Sequence, residues 1–98
     1  MAAFLFQIEL PELTEDIINT IPVHRNYINK LLSEGKILSY CVSQARTLIW
    51  CVVNADDEQE AMAFVLKFPL YEHFMEIVCY PLLFYNALPA TMPGISLN

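Results

Sequence analysis

The stretch Phe68-Pro69-Leu70-Tyr71 decides how the second half of this chain folds. It separates an amphipathic segment from an apolar run between Phe74 and Tyr85. Proline disfavours helical geometry in the residue before it and has no amide hydrogen to donate. A helix in the preceding segment therefore ends at about Phe68, and the chain turns there. The apolar run after the turn predicts a buried final strand.

The segment before this turn has helical periodicity. Asp57 and Glu60 have the spacing of a capping box, and several other N-cap residues lie in 54–57. Apolar residues then recur at i, i+3, i+4 and i+7: Ala61, Phe64, Val65 and Phe68. This pattern predicts an amphipathic helix. The final strand is predicted within Phe74–Tyr80, and Pro81 either ends it or marks an edge strand.

The N-terminal third predicts a strand followed by a helix. Residues alternate with a period of two up to Pro11: one face, Phe4, Phe6, Ile8 and Leu10, is apolar, and the other, Leu5, Gln7 and Glu9, turns polar along the strand. Thr14 is the expected N-cap of a helix that ends at Gly35. Pro22 allows two interpretations of this helix: one kinked helix, or a short helical turn followed by a second helix that starts at Pro22.

The middle of the chain predicts a β-hairpin. Ile37–Val42 and Thr47–Val53 are rich in strand-forming residues and are separated by four loop residues. Both runs are apolar on both faces, which is typical of a sheet that is covered on both sides. Residues 86–98 have no period and contain Pro89 and Pro93, and they are predicted to form an extended tail.

The order strand, helix, strand, strand, helix, strand predicts an α+β fold of the ferredoxin-like type. In this βαββαβ fold a four-stranded antiparallel sheet carries both helices on one face. The predicted domain covers residues 1–85, and the tail covers 86–98. Because the strands are so apolar, two such sheets are expected to pack face to face as a dimeric α/β barrel.

Composition supports a second copy of the chain as the partner. Apolar residues, tyrosine included, make up 56% of the 98 residues, whereas a domain of this size can build only a modest core. Monomeric proteins rarely expose large apolar patches, so we expect at least a homodimer. The net charge of −6 argues against binding to nucleic acid or to an anionic membrane surface.

The start of the chain indicates neither a signal peptide nor a membrane span, which predicts a cytoplasmic protein. Its three cysteines, Cys41, Cys51 and Cys79, lie in apolar strand-like surroundings and are expected to be buried thiols. Cys41 and Cys51 would face each other across the hairpin in one register, although the cytosol disfavours disulfides.

Several short motifs resemble muconolactone isomerase-like proteins of the dimeric α/β barrel group. The resemblance is carried by Glu34-Gly35, Trp50, Phe68-Pro69-Leu70-Tyr71 and Met75-Glu76-Ile77, and it spans about Val23 to Ile77. In that family one helix ends in Glu-Gly before the second strand, and another ends in Leu-Pro-Leu-Phe before the last strand. The resemblance implies a cofactor-independent isomerase that moves a proton within an unsaturated lactone. It also implies that the tail can pack on a neighbouring subunit, so that oligomers larger than a dimer form.

One departure from the family bears on the reaction. In the isomerases the second strand carries basic residues after the glycine, and these would hold the carboxylate of the substrate. This chain has Leu38, Ser39 and Val42 in that neighbourhood. The resemblance therefore implies the scaffold more strongly than the family's own substrate.

His24 and Glu9 are the acid/base candidates. His24 lies seven residues after Ile17 and four before Ile28, so a continuous helix would turn it toward the sheet. The competing interpretations are a core histidine bonded to backbone and, if the helix breaks at Pro22, a surface residue. Glu9 would point into the cavity between two sheets, where burial raises the pKa of a carboxyl group, or it would end the strand in water.

Six further residues are candidates for ligand binding. They share hydrogen-bonding or aromatic side chains near the predicted hairpin, the final turn or the inter-sheet face: Gln7, Tyr40, Arg46, Trp50, Tyr71 and His73. Core packing, interface packing or, for Arg46, a solvated loop are the competing interpretations. Arg25 is expected to face solvent or to pair with Glu12 or Glu15, with anion binding as the alternative.

Two functions follow from these observations. The first is a cofactor-independent enzyme, isomerase-like, that acts on a small apolar or aromatic-derived compound. The second is a non-catalytic dimeric module for ligand binding or assembly. No metal site is predicted, because the histidines stand alone and the cysteines lack metal-ligand spacing. No cofactor is predicted either, because the chain has no glycine-rich phosphate loop.

Overall fold

The computed structural model describes residues 2–87, and these form the predicted βαββαβ fold. The elements are β1 (Ala2–Glu9), α1 (Glu15–Ser33), β2 (Ile37–Val42), β3 (Leu48–Ala55), α2 (Glu58–Leu66), a 3-10 helix (Tyr71–His73) and β4 (Glu76–Leu82). The four strands form one antiparallel sheet in the order β2-β3-β1-β4. The ferredoxin-like prediction is therefore confirmed.

The alternation in the central strand β1 separates the two faces of the sheet. Phe4, Phe6 and Ile8 are buried in the core, together with Ile28 and Leu31 of α1 and Ala61 and Val65 of α2. The residues between them point to the opposite side, as the period of a strand requires. We call that side the open face, and the strand register assigns to it Leu5, Gln7, Glu9, Trp50, Val52, Val78 and Tyr80.

Helix α1 is continuous through Pro22, which decides between the two interpretations of this segment. The Thr14 hydroxyl accepts a hydrogen bond from the Ile17 amide at 3.3 Å and caps the N-terminus. The helix ends as predicted, because Gly35 takes a φ of 73°, which glycine adopts at low cost. Within residues 2–87, neither helix has the length and hydrophobicity that crossing a membrane would need.

A β-bulge in β2 changes which side chains face the helices. Ile37 pairs with Val53 and Tyr40 pairs with Cys51, so three steps along β2 match two steps along β3. The bulge places Tyr40 on the helix side of the sheet. Cys41 lies opposite Trp50 on the open face, so Cys41 and Cys51 do not face each other. All three cysteines are free thiols, but only Cys51 is buried: Cys41 is exposed and Cys79 is half-buried, so the expectation of three buried thiols is wrong.

The final turn has the predicted place, but the strand after it is less buried than predicted. Helix α2 ends at Leu66, and the Tyr71 amide donates to the Phe68 carbonyl at 2.8 Å. Strand β4 includes Pro81 and lies at the sheet edge, so the edge interpretation of Pro81 holds. Side chains of β4 are partly or fully exposed because an edge strand has only one neighbour. Most of the predicted tail, from residue 88 onward, lies outside the described residues.

The N-cap of α2 gives a first prediction. The Asp57 carboxylate accepts a hydrogen bond from the Glu60 amide at 2.8 Å, while the Glu60 carboxylate accepts one from the Asp56 amide at 3.1 Å. Replacing Asp57 with Ala removes the cap and is expected to lower the free energy of unfolding by about 1 kcal/mol. Urea denaturation followed by circular dichroism measures this loss. Asp56→Ala removes the same charge without removing the cap, and an equal loss in that variant would contradict the assignment.

Candidate functional site

A small cleft opens between the first half of α1 and the strands β2 and β3. Its volume is about 270 Å³. Aliphatic side chains from α1, the sheet, and the segments after β1 and α2 form its walls, including Leu13, Ile17, Ile21, Val42, Ile49 and Leu70. The polar residues of this lining are His24, Tyr40, Arg25 and Arg46. We call it the His24–Tyr40 cleft.

The two uncharged polar residues of the cleft are hydrogen-bonded to each other. His24 Nε2 lies 2.7 Å from the Tyr40 hydroxyl oxygen. His24 lies on the sheet-facing side of α1 and is 3% exposed, and the Phe68 ring meets its imidazole edge-on at a centroid distance of 5.6 Å. Tyr40 reaches the pair because the β2 bulge turns it toward the helices. The orientation of His24 on α1 and the bulge in β2 therefore bring the two side chains into contact.

Burial keeps both members of the pair neutral. It lowers the pKa of His24 from 6.5 to about 4, because an imidazolium would lose its hydration in the apolar surroundings. Burial raises the pKa of the Tyr40 phenol, because a phenolate would lose its hydration in the same surroundings. At neutral pH the pair is an imidazole and a phenol, with one proton shared along the hydrogen bond.

The second imidazole nitrogen has no partner. His24 Nδ1 is buried and makes no hydrogen bond with any described residue. An unpaired buried polar atom costs about 1–3 kcal/mol, so such atoms are rare in folded proteins. A purely structural histidine bonded to backbone, as one interpretation of the sequence had it, would not leave this nitrogen unpaired.

Both arginines of the chain line the same cleft. Arg25 follows His24 on α1, and Arg46 lies in the β2–β3 loop with a left-handed φ of 63°. The loop is held by the Ser43 hydroxyl, which accepts from the Leu48 amide at 3.0 Å, and by the Arg46 amide, which donates to the Ser43 carbonyl at 2.9 Å. Both arginine residues are exposed, so they lie where the cleft opens to solvent.

The other predicted site residues lie elsewhere. Gln7, Trp50 and Glu9 are on the open face, where the Trp50 indole donates to Gln7 Oε1 at 3.1 Å. Tyr71 and His73 are in the 3-10 helix, and Tyr71 lines a separate open cleft. Of the eight predicted residues, the structure brings His24, Tyr40 and Arg46 into one cleft.

Sequence reasoning missed part of this lining. Ile17, Ile21 and His24 have helical spacing, so the face that carries the cleft was detectable in the sequence. Arg25 was expected to face solvent or to pair with Glu12 or Glu15; it is exposed and makes no ion pair with a described residue, but it also lines the cleft. Leu70 follows Pro69 in the turn, and no sequence signal marks it as part of the lining.

Comparison with known proteins supports the fold. No protein-family model matches the chain, and no curated protein sequence does. Among solved structures, the chain is similar to 5-chloro-2-hydroxyhydroquinone dehydrochlorinase (TftG) from Burkholderia phenoliruptrix AC1100, in complex with 2,5-dihydroxybenzoquinone. The two share 17% sequence identity with a TM-score of 0.66, over 80% of this chain and 90% of the other. At this identity the likeness establishes the fold and leaves the activity open.

The lowered pKa of His24 predicts a pH-dependent stability. Between pH 6.5 and about 4 the unfolded chain binds a proton at His24 that the folded chain does not bind, so stability falls as the pH falls. From pH 7 to pH 5 this loss is expected to be about 2 kcal/mol, and His24→Gln abolishes it. Denaturant unfolding at both pH values measures the difference. An unchanged dependence in His24→Gln would refute the assignment.

Proposed function

We propose that this protein is a cofactor-independent enzyme that isomerises a small apolar or aromatic-derived compound by proton transfer at the His24–Tyr40 pair. One observation carries the proposal: a neutral imidazole and a neutral phenol, 2.7 Å apart, line an aliphatic cleft. Such a pair can accept and return a proton without a metal or an organic cofactor. The activity would resemble that of muconolactone isomerase-like proteins.

The hydrogen bond supplies a short proton relay. A ligand O–H or activated C–H gives its proton to the Tyr40 oxygen while the Tyr40 hydroxyl proton passes to His24 Nε2. The ligand becomes an enolate, Tyr40 remains a phenol and His24 becomes an imidazolium. Returning the proton through Tyr40 to a different ligand atom completes the isomerisation and restores the resting pair.

The electrostatics of the cleft suit an acidic ligand. With a pKa of about 4, His24 is the free base at neutral pH but a weak one. Proton transfer is most effective when the two pKa values are close, so activated C–H groups and enols suit this base better than ordinary ketones. The similar structure, TftG, is named for a hydroxyhydroquinone substrate and holds a dihydroxybenzoquinone, both compounds of this acidic kind.

Glu9, the second acid/base candidate, needs a partner subunit. It lies at the end of β1 on the open face and directly opposite Glu76 of β4, outside the His24–Tyr40 cleft. We propose that a second copy covers the open face, as apolar Leu5, Val52 and Val78 suggest, and that Glu9 then borders the inter-sheet cavity. The free thiols fit the reducing cytoplasm, where we place the protein.

The catalytic proposal predicts turnover of an unsaturated lactone. α-Angelica lactone, which is neutral and forms a conjugated isomer, is the probe, and ultraviolet absorbance follows its conversion. His24→Gln and Tyr40→Phe are each expected to reduce kcat/KM by about 100-fold or more, because each breaks the relay. Tyr27→Phe, which removes a phenol hydroxyl outside the cleft lining, is the control and keeps full activity. Unchanged turnover in both cleft variants refutes the relay, and binding without turnover favours the ligand-binding module.

The dimer proposal predicts the mass in solution. Multi-angle light scattering at micromolar concentration is expected to give twice the mass of the chain. Tyr80 on the open face and Leu66 on α2 are exposed to 47% and 48% in the single chain, so glutamate at either position would not bury a charge within the single chain. Tyr80→Glu is expected to give a monomer, because a charge would be buried between the sheets, whereas Leu66→Glu leaves the dimer intact. A monomeric natural chain contradicts the proposal.

A further inference from the structure

We infer that the solvent-facing side of α1 binds a second copy of this chain, with the two α1 helices packed antiparallel about a two-fold axis. Six exposed residues form this surface, which we call the α1 stripe: Glu15, Asn19, Pro22, Val23, Asn26 and Lys30. The inference goes beyond the proposed function, because it depends neither on the reaction nor on the dimer through the open face.

The α1 stripe lies opposite the side of the helix that packs on the sheet. The buried residues of α1 are Ile17, His24, Ile28 and Leu31. On the other side, Glu15, Asn19, Pro22, Asn26 and Lys30 follow one another at steps of four, three, four and four residues. Residues at these steps share one face of a helix, and this is the spacing at which one helix packs along another.

The composition of this surface differs from that of a helix side that only contacts water. Residues 17–33 include no acidic residue, although the chain has eleven. Val23 is 61% exposed, and the neighbouring Ile18 is 52% exposed. Asparagine is a poor helix former and proline a far poorer one, whereas a solvent-facing side is usually charged. Helix stability therefore does not explain the two asparagines and the proline of the stripe, and a contact surface does.

The charges at the two ends of the stripe identify the partner as a second copy. Glu15 lies in the first turn of α1 and Lys30 in the last, and neither forms an ion pair with a described residue. If a two-fold axis passes between Pro22 and Val23, Glu15 of each copy lies opposite Lys30 of the other, because both are equally far from the axis. Two ion pairs then form, whereas a parallel arrangement would bring like charges together.

The same axis also pairs the polar and apolar residues of the stripe. Asn19 and Asn26 are equally far from it, so Asn19 of each copy lies opposite Asn26 of the other. A side-chain amide both donates and accepts, so two amides can bond to each other, and such polar pairs fix the register of packed helices. Beside the axis, Val23 meets Val23 of the other copy and loses exposed apolar surface. One register therefore satisfies all three kinds of contact.

The contact surface adjoins the His24–Tyr40 cleft. An open groove of about 320 Å³ runs along α1 beside the stripe, lined by Ile21, Pro22, Arg25, Asn26 and Asn29. Ile21 and Arg25 also line the cleft. A second copy on the stripe would therefore border the side of the cleft that α1 forms.

The contact is expected to be weak. Helix α1 has 19 residues, which makes it about 28 Å long. Two helices of this length bury less area than a standard protein interface, so we expect a dissociation constant of about 0.1–1 mM. At micromolar concentration the dimer through the open face then remains the main species, and contacts between α1 helices form at higher concentration.

Disulfide cross-linking at position 23 tests the arrangement. Cys41→Ser removes the exposed native thiol, and Val23→Cys in that background places two thiols beside the two-fold axis. Under mild oxidation near millimolar concentration, this variant is expected to cross-link about tenfold faster than Leu66→Cys, which is also exposed but lies on α2. Non-reducing electrophoresis measures both rates. Equal rates overturn the inference, whether the stripe then faces solvent or a different protein. Adding Tyr80→Glu, which targets the open face, is expected to leave the cross-link at position 23 unchanged.

Exchange of the two end charges tests the register. Glu15→Lys and Lys30→Glu, each added alone to Val23→Cys, are expected to slow cross-linking about fivefold at low salt, and the two together restore it. Glu15→Lys also makes the chain less negative, so general repulsion between copies would predict faster cross-linking instead. Lys67→Glu, the same charge change at the end of α2, is the control for Lys30→Glu. A double exchange that stays slow, or single exchanges as fast as the parent, overturns the inference. Lys30→Gln, expected to give an intermediate rate, keeps the test decisive if a reversed charge unfolds α1.

Discussion

The burial of Phe4, Phe6 and Ile8 under both helices is the constraint on which the rest of this structure depends. Because β1 is central, its register with β3 and β4 decides which of their side chains point toward the helices and which point away. One side of the sheet becomes the core, and the other remains a largely apolar surface that no helix within residues 2–87 covers. The described residues supply no third layer over this surface, and in the proposed dimer a second copy would cover it.

The candidate site arises where this regular division is interrupted. Strict alternation from Ile37 would have turned Tyr40 away from the helices, and the β2 bulge restores it to their side. His24 then meets a phenol instead of only apolar neighbours. Bulges commonly occur next to functional sites because they redirect a single side chain without disturbing the sheet. His24 Nδ1 remains buried and unpaired at the same place, which lowers the stability of the fold.

The sequence predicted the fold more fully than the site, for identifiable reasons. Local patterns mark the elements: the alternation in β1, the capping box at Asp57 and the glycine after α1. Helical phase also turned His24 inward. The contact between His24 and Tyr40 depends on a β-bulge, and no residue type in β2 predicts this bulge. The position of Arg25 depends on α1 continuing through Pro22. Strand β4 is exposed because it lies at the edge of the sheet, and the residues of one strand do not reveal its position in the sheet.

Pro81 constrains the way in which this sheet can grow. It lies within the edge strand β4, and a proline has no amide hydrogen to offer to a further strand. Proline on an edge is one of the features by which natural sheets resist addition of another chain along that edge. The opposite edge, β2, contains no proline, so this protection applies to the β4 edge alone. The proposed dimer would use the face of the sheet instead of either edge. Stacking two identical faces produces a closed pair, whereas pairing the β4 edge of one copy with the β2 edge of the next would lead to open-ended fibres.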